Sequence, residues 1–417
     1  MAASPTRLGL LVSQWPRNTC SAWSFTAHLE EKYLKIAAIR TIVVDAVRCN
    51  YVYVKVHTDD GMYGLGEASL EGLELAVVGA IDNLAPLIVG EDPFRIEHIW
   101  QALHRWPFWR LGPVLGSAMS GIDIALWDLK GKALGLPVYE LLGGAVRDRV
   151  RMYRQAHGQS VQDTVRAGRT ATAAGFTAIK IGCWPTETTD RVEERPGVRR
   201  TVEQMTALRE ALGEDVDILL DAHGRMTPST ALTMARALEP FHPYFLEEPI
   251  RPESPASYGP LKAASPIPLA AGERLFTPWG FRDVIEHEWV DFVQPDLCHA
   301  GGITGVRKIA ALAETHYIRV CPHNPLSPVS TAACLHLDAA ISNFGCQEHV
   351  HPGPSWGADY IDDEVLINPP QFKDGYWELN SAPGLGIDLD ETAAAHYPRQ
   401  PRPLPRLVSF DGGVADW

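Results

Sequence analysis

Residues 216–221 read Val216-Asp217-Ile218-Leu219-Leu220-Asp221, residues 244–247 read Tyr244-Phe245-Leu246-Glu247, and residues 267–273 read Ile267-Pro268-Leu269-Ala270-Ala271-Gly272-Glu273. Each is a short apolar run that ends in an acid, and the acids Asp221, Glu247 and Glu273 fall at equal intervals of 26 residues. Short continuous apolar runs suit strands buried on both faces, as in a parallel sheet. An acid at the C-terminal tip of each such strand lies where barrel enzymes carry their chemistry. Three converging carboxylates repel one another unless they share a cation, so the spacing predicts a metal site. With no cysteine and no second histidine at ligand spacing on these strands, magnesium suits the donor set better than zinc, and manganese is the natural substitute.

Outward from this stretch the same rhythm continues. Apolar strands are expected at Arg149–Gln155, Thr177–Ile181, Val216–Leu220, Tyr244–Leu246, Ile267–Ala271, Val290–Val293, Ile318–Cys321 and Phe344–Gln347, with helix patterns such as Val202–Leu212, Ser229–Leu238, Val306–Thr315 and Ser330–Ala340 between them. Eight βα units of this length predict an α/β protein built on a (β/α)8 barrel over residues 149–368. Residues 34–148 read differently. Strands at Ile39–Ala46 and Tyr51–His57, a turn at Asp59-Asp60-Gly61, and helical periodicity in Leu73–Ile88, Phe94–Leu103 and Ser117–Leu134 predict an α+β unit. Residues 369–417, rich in Pro and Gly, are expected to pack back on that unit, and residues 1–33 form an N-terminal extension.

Composition narrows the function class. Lys plus Arg number 37 against 51 Asp plus Glu, a net charge of −14, which argues against nucleic acid or an anionic membrane as a partner. No apolar run approaches the ~20 residues needed to span a bilayer. The seven cysteines are scattered without a Cys-x-x-Cys pair, which fits a reducing, cytoplasmic setting better than a disulfide scaffold.

Seven successive strands are followed by a polar or charged residue: Lys180, Asp221 with His223, Glu247, Glu273, Asp296, His323 and Glu348. His323 has a possible orienting carboxylate in Asp296, one strand earlier, and such a pair fixes the imidazole tautomer and raises its basicity. His223, two residues beyond Asp221, can point to the same side of its strand end. Glu248 competes with Glu247 as the ligand, and the equal spacing favours Glu247. Arg274 either pairs with a neighbouring carboxylate or touches substrate. His157, in Gln155-Ala156-His157-Gly158, is either a pocket residue or an ordinary core histidine. The charged stretch Thr186–Arg200 reads as a solvated loop, and Trp106-Pro107-Phe108-Trp109-Arg110 as a lid or as cap packing.

The ordered motifs Gly121-Ile122-Asp123-Ile124-Ala125-Leu126-Trp127-Asp128, Asp221-Ala222-His223-Gly224-Arg225, Glu247-Glu248-Pro249 and Ala271-Gly272-Glu273-Arg274 together resemble the enolase superfamily. So do Gln294-Pro295-Asp296-Leu297-Cys298-His299-Ala300-Gly301-Gly302, Pro322-His323, Gln347-Glu348, Pro383-Gly384-Leu385-Gly386-Ile387-Asp388 and the terminal Asp411–Trp417. The likeness is to the mandelate racemase-like branch, and within it to the galactonate dehydratase family. It implies a modified barrel capped by the N-terminal unit plus the C-terminal tail, one essential magnesium ion held by Asp221, Glu247 and Glu273, and a symmetric homo-oligomer. Racemases of the branch carry two lysines one residue apart on the second strand. Here Ala178-Ile179-Lys180-Ile181-Gly182 has glycine in the second place, which disfavours two-base racemisation and leaves one base and one acid.

The expected activity is therefore dehydration of a small sugar acid to a 2-keto-3-deoxy acid. Lys180 and the metal would hold the carboxylate, His323 with Asp296 would take the proton on the second carbon, and His223 would protonate the departing hydroxyl. His223, His323, Arg274 and Glu348 join Lys180 as expected substrate contacts. D-Galactonate is the first expectation; gluconate, mannonate, altronate or a deoxy-sugar acid come next, then epimerase or cycloisomerase chemistry, then a silent barrel. The segment His349–Trp356 departs from the family pattern and is expected to shape the pocket.

Overall fold

The computed structural model describes residues 34–47, 49–183, 191–349, 362–379, 381–402 and 404–416. The extension 1–33, the 186–190 part of the charged stretch, positions 350–356 of the departing segment and Trp417 lie outside the described residues.

The first unit is an antiparallel sheet of β1 (Ile36–Asp45), β2 (Asn50–Thr58) and β3 (Tyr63–Glu67), followed by helices α1 (Glu74–Leu84), α2 (Ile96–Arg105), α3 (Pro113–Leu134) and the short α4 (Val138–Leu141). Sheet and helices share one core, in which Val52, Val54 and Val56 of β2 meet Val77, Ile99, Trp100 and Ile122. The long helix α3 lies close on β3, and the sequence explains why it can. A methyl group on Gly64 or Gly66 would overlap the backbone oxygens of Ala125 and Gly121, so only glycine permits that approach. Asp128, fully buried at the far end of α3, accepts the N–H groups of Leu65 and Leu385 and the ammonium of Lys132, tying helix, sheet and tail together.

Eight parallel strands follow: β4 (Arg149–Gln155), β5 (Ala178–Gly182), β6 (Asp217–Asp221), β7 (Phe245–Glu247), β8 (Leu269–Ala271), β9 (Phe292–Val293), β10 (Arg319–Val320) and β11 (Gln347–His349). Each pairs with the next through β10; β11 pairs with β4, and a bridge between Val320 and Phe344 closes the ring. The outer helices are α5 (Val161–Ala173), α6 (Glu194–Leu212), α7 (Pro228–Leu238), α8 (Tyr258–Ala264), α9 (Thr277–Glu286), α10 (Gly302–Glu314) and α11 (Pro328–Ala340). Among the described residues no helix is long and apolar enough to cross a membrane.

Two readings of the sequence need correction. Residues 194–200, taken as part of a solvated loop, form the first turns of α6, where Gly197 and Thr201 pack inward. The last strand begins at Gln347 instead of Phe344, so Glu348 lies within it and not beyond it. A short, strongly twisted barrel strand is set by its pairing with neighbours, which an apolar run alone does not locate. The tail divides its contacts. A hairpin of Phe372–Lys373 and Tyr376–Glu378 adds antiparallel to β4, after which Gly384 bridges Pro137 and Pro398 bridges Val44 of β1.

One plug of side chains fills the barrel: Tyr153, Ala178, Leu219, Phe245, Ala270 and Phe292, one from each of β4 to β9 in order, with Cys321 just after β10 and Cys346 just before β11. Side chains alternate along a strand, so the residues two positions further on face the same interior, one layer nearer the C-terminal mouth. These are Gln155, Lys180, Asp221, Glu247, Gly272, Gln294, His323 and Glu348. The apolar floor thus dictates the polar layer above it.

Candidate active site

The polar layer is a network of opposite charges that is largely buried. Lys180 sits 3.2 Å from Glu247, 2.8 Å from Glu348 and 3.4 Å from Asp221, and only 2% of its side chain is exposed. Burial alone would strip its proton, but Glu247 and Glu348 outweigh that and hold the ammonium well above its usual range. Glu348 answers in kind. Against the cost of burial, Lys180 and His323 bring its pKa down to about 2, while its two oxygens accept the Gln155 amide at 2.7 Å and the Asn324 backbone N–H at 2.8 Å.

Asp221 and Glu247 are paired neighbours in the sheet, and Glu273 follows the bend at Gly272 on the next strand. Burial pushes the Glu247 carboxyl up to about 8 and the Glu273 carboxyl up to about 7, each raised further by neighbouring acids. Glu247 Oε2 and Glu273 Oε2 are buried and accept no hydrogen bond among the described residues, although His323 Nε2 stands 3.3 Å from the latter. Carboxylate oxygens buried without a hydrogen bond on two adjacent strands, with Asp221 on the strand beside them, are what a hard divalent cation would satisfy. Asp221, His223 and Glu273 bring ligand-capable atoms within 4.8 Å of one another. Glu247 falls outside that tight group because its Oε1 faces Lys180, yet it stands between Asp221 and Glu273 in strand order and its free oxygen suits the set better than His223, which is already 3.1 Å from Asp221.

Glu247, the last residue of β7, meets Lys180, whereas Glu248 just beyond it has a different partner. Glu248 takes the Arg274 Nε at 2.6 Å and a second contact from the same guanidinium. Arg274, expected among the substrate contacts, is therefore turned onto Glu248 as a brace, the other alternative its sequence position allowed. Glu248 and His223 both adopt positive φ, 37° and 47°, and the N–H of Gly224 bonds the Glu248 carbonyl at 2.6 Å. Left-handed backbone at two non-glycine residues costs roughly 1–3 kcal/mol each and is typical of residues held for a function. For His223, Asp221 overcomes burial and raises the imidazole to about 9.

On the other side of Glu348 stands the pair anticipated from sequence: His323 Nδ1 lies 2.8 Å from Asp296 Oδ2. Nδ1–H therefore donates to the carboxylate, and Nε2 faces the mouth, 3.3 Å from Glu273. Burial opposes protonation of His323, but Glu273, Asp296 and Glu348 raise it to about 10; a cation on Glu273 would offset the largest of these and free Nε2 to act as a base. His157 stands beside Gly182 at the end of β5. Among the described residues its ring is the group within 4 Å of where a side chain on Gly182 would begin, and burial followed by Lys180 lowers its pKa to about 4. Sequence reading missed Gln155 and Asn324, which hold Glu348, and Gln294, whose buried amide makes no hydrogen bond among the described residues. The two-residue step from the apolar floor would have found Gln155 and Gln294. In the first unit, Phe108 and Trp109 are more than four-fifths exposed, so packing into the cap does not account for them.

Comparison with known proteins gives this site its relatives. Residues 26–143 match the family model described as the N-terminal domain of mandelate racemase and muconate lactonizing enzyme, and residues 163–393 match the enolase C-terminal domain-like model. A D-galactonate dehydratase of Ralstonia nicotianae is 41% identical over 375 residues, covering 88% of this chain and 96% of its own. A D-mannonate dehydratase of Caulobacter sp. (strain K31) is 37% identical over 411 residues, covering 92% of this chain and all of its own. A crystal structure of an enolase from Pantoea ananatis with bound D-gluconate and magnesium superposes with a TM-score of 0.85 at 33% identity, over 92% of this chain and all of that one.

Proposed function

The chain belongs to the mandelate racemase and muconate lactonizing enzyme family of the enolase superfamily and is a sugar-acid dehydratase; on that premise we propose D-galactonate as its substrate and magnesium as its metal. The observation that carries the reading is the His323–Asp296 pair facing the mouth on one side of Glu348, while β5 on the other side presents Gly182 where a second base would stand.

Asp221, Glu247 and Glu273 would hold the ion. When bound, it stabilises the negative charge that develops as the proton next to the substrate carboxylate is removed. Lys180 supplies the fixed positive charge that orients the carboxylate, and Glu348 with Gln155 keeps the ammonium in place. His323 Nε2 takes the proton from the second carbon, leaving its electron pair in the enediolate, while Asp296 stabilises the imidazolium that results. His223, protonated beside Asp221, gives its proton to the hydroxyl on the third carbon, which departs as water. The enol left behind takes a proton at the third carbon and becomes the 2-keto-3-deoxy acid.

One base serves one configuration at the second carbon. D-Galactonate and D-gluconate share that configuration and D-mannonate inverts it. Mannonate dehydration would need a base on the Lys180 side, where the imidazole nearest Gly182 is that of His157. The mannonate dehydratase relative keeps this second reading open to test. With magnesium present, D-galactonate should give the highest kcat/KM in a panel of aldonates, gluconate should follow and EDTA should abolish turnover. Turnover of mannonate alone would overturn the substrate, and no keto product from any acid sugar would overturn the family activity for this chain.

A further inference from the structure

The His323–Asp296 pair does not end at Asp296. The fully buried carboxylate uses Oδ1 to accept the Cys298 N–H at 2.6 Å, and on Oδ2 it meets a second imidazole besides His323: His299 Nε2, at 3.6 Å. The other ring nitrogen of His299 lies 2.9 Å from the hydroxyl of Ser117, which belongs to helix α3 of the first unit. One assignment satisfies every group. Ser117 Oγ–H donates to His299 Nδ1, His299 Nε2–H points at Asp296, and His323 Nδ1–H donates to the same oxygen.

The backbone that carries His299 is fixed from the same helix. Ser120 accepts the N–H groups of Gly301 and Gly302 at 2.9 and 3.0 Å, and Asp123 accepts that of Thr304 at 2.9 Å. These donors lie at the N-terminus of α10, where intrahelical acceptors are lacking. Trp100 donates its indole N–H to the Gly301 carbonyl at 2.8 Å, and a side chain at Gly116 would run into the His299 carbonyl. The segment between Asp296 and α10 turns on its own backbone bonds to Asp296 and Leu297 and is anchored from outside by side chains of the first unit, while Asp296 itself belongs to the barrel.

We propose that His299 and Ser117 are positioning residues for the general base: a relay Ser117–His299–Asp296–His323 through which the capping unit fixes the direction of the His323 lone pair. Asp296 is fixed at Oδ1 by the Cys298 N–H, and at Oδ2 the His299 ring, 3.6 Å away, is the second imidazole that faces the oxygen on which His323 depends. Neither His299 nor Ser117 touches substrate. The proposal rests on His323 being the base.

The test uses the full-length enzyme, magnesium, and whichever acid sugar the wild type turns over. In His299→Phe, kcat should fall about 10- to 100-fold, the loss expected from a small misplacement of a catalytic group. KM should stay within about twofold, because the carboxylate and hydroxyl contacts are untouched. The isotope effect with substrate deuterated at the second carbon should rise, since proton abstraction alone is slowed. His299→Gln, which keeps a donor near the Nε2 position, should recover most of kcat, and Ser117→Ala should show a smaller fall of the same kind. Unchanged kcat in His299→Phe, a rise in KM with kcat intact, or a loss that tracks thermal destabilisation and is not rescued by His299→Gln would each overturn the relay. Asn in place of His323 is the control: if that variant exchanges the proton on the second carbon at the wild-type rate, His323 is not the base and the relay falls with it; if only the His299 results fail, the base assignment stands alone.

Discussion

His323 and His223 reach one substrate from different strands, and the two half-reactions separate them. His323→Asn should lower both exchange of the proton on the second carbon and dehydration by about 10²–10⁴-fold, the usual contribution of a positioned base. His223→Asn should keep exchange in deuterated water while dehydration drops by a similar factor, as proton NMR of the substrate would show. Lys180→Met tests the ionic network that holds both in register. It removes the ammonium between Glu247 and Glu348, both fully buried, and should cost about 3–5 kcal/mol of stability in metal-free protein by denaturant titration. Unchanged stability would mean that these acids are neutral without it. At this scale most of the site was legible, because Asp221, Glu247, His323 and Glu348 are each two residues past an apolar floor position on their strands. Arg274 was not, because sequence adjacency to Glu273 does not show that its fork turns to Glu248.

Between elements, the decisive joint is a carboxylate of the first unit set into a barrel helix. Glu67, the last residue of β3, is buried at the start of α11 and accepts the backbone N–H groups of Ser327 at 3.2 Å and Ser330 at 2.9 Å, with the hydroxyls of Ser69 and Ser327 beside them. The loop it holds begins at His323. Glu67→Ala leaves two buried backbone donors without acceptors, at about 1–3 kcal/mol each, so the variant should unfold at lower denaturant and show reduced kcat with the His323 loop loosened. Wild-type kcat in a destabilised but folded Glu67→Ala would separate the joint from catalysis. Nothing in the local sequence announces this contact, since Glu67 and Ser327 are 260 residues apart. The strand ends were misplaced by one to three residues for a related reason: closure of the ring by neighbours, rather than apolar content, decides where pairing starts and stops.

For the molecule as a whole, stability should respond to pH and to metal in ways the buried groups specify. His336 of α11, fully buried, accepts the Tyr139 N–H at Nδ1 and donates to the Leu385 carbonyl from Nε2, joining barrel, capping unit and tail as a neutral ring. Burial lowers its pKa to about 4 from the ordinary 6.5. The unfolded chain therefore binds a proton that the folded chain refuses between those values, and stability falls as pH drops from 6.5 toward 4, by up to about 3 kcal/mol. The stability gap between wild type and His336→Gln should narrow over that window and stay constant above pH 7. Magnesium, which binds only the folded site, should raise the unfolding temperature, by the equivalent of about 2.7 kcal/mol at a hundredfold excess over its Kd. Glu247→Gln should blunt that rise. The barrel and its cap were readable from the repeat of strands and helices, whereas the course of the tail across both units depends on contacts such as Asn50 with Gln400 that no periodicity carries. The most direct test of the account is proton NMR of D-galactonate incubated with the enzyme and magnesium in deuterated water. The account predicts loss of the signal of the proton on the second carbon together with a 2-keto-3-deoxy product bearing one deuteron at the third carbon; exchange at the second carbon with no elimination, or product formation unaffected by His323→Asn, would contradict it.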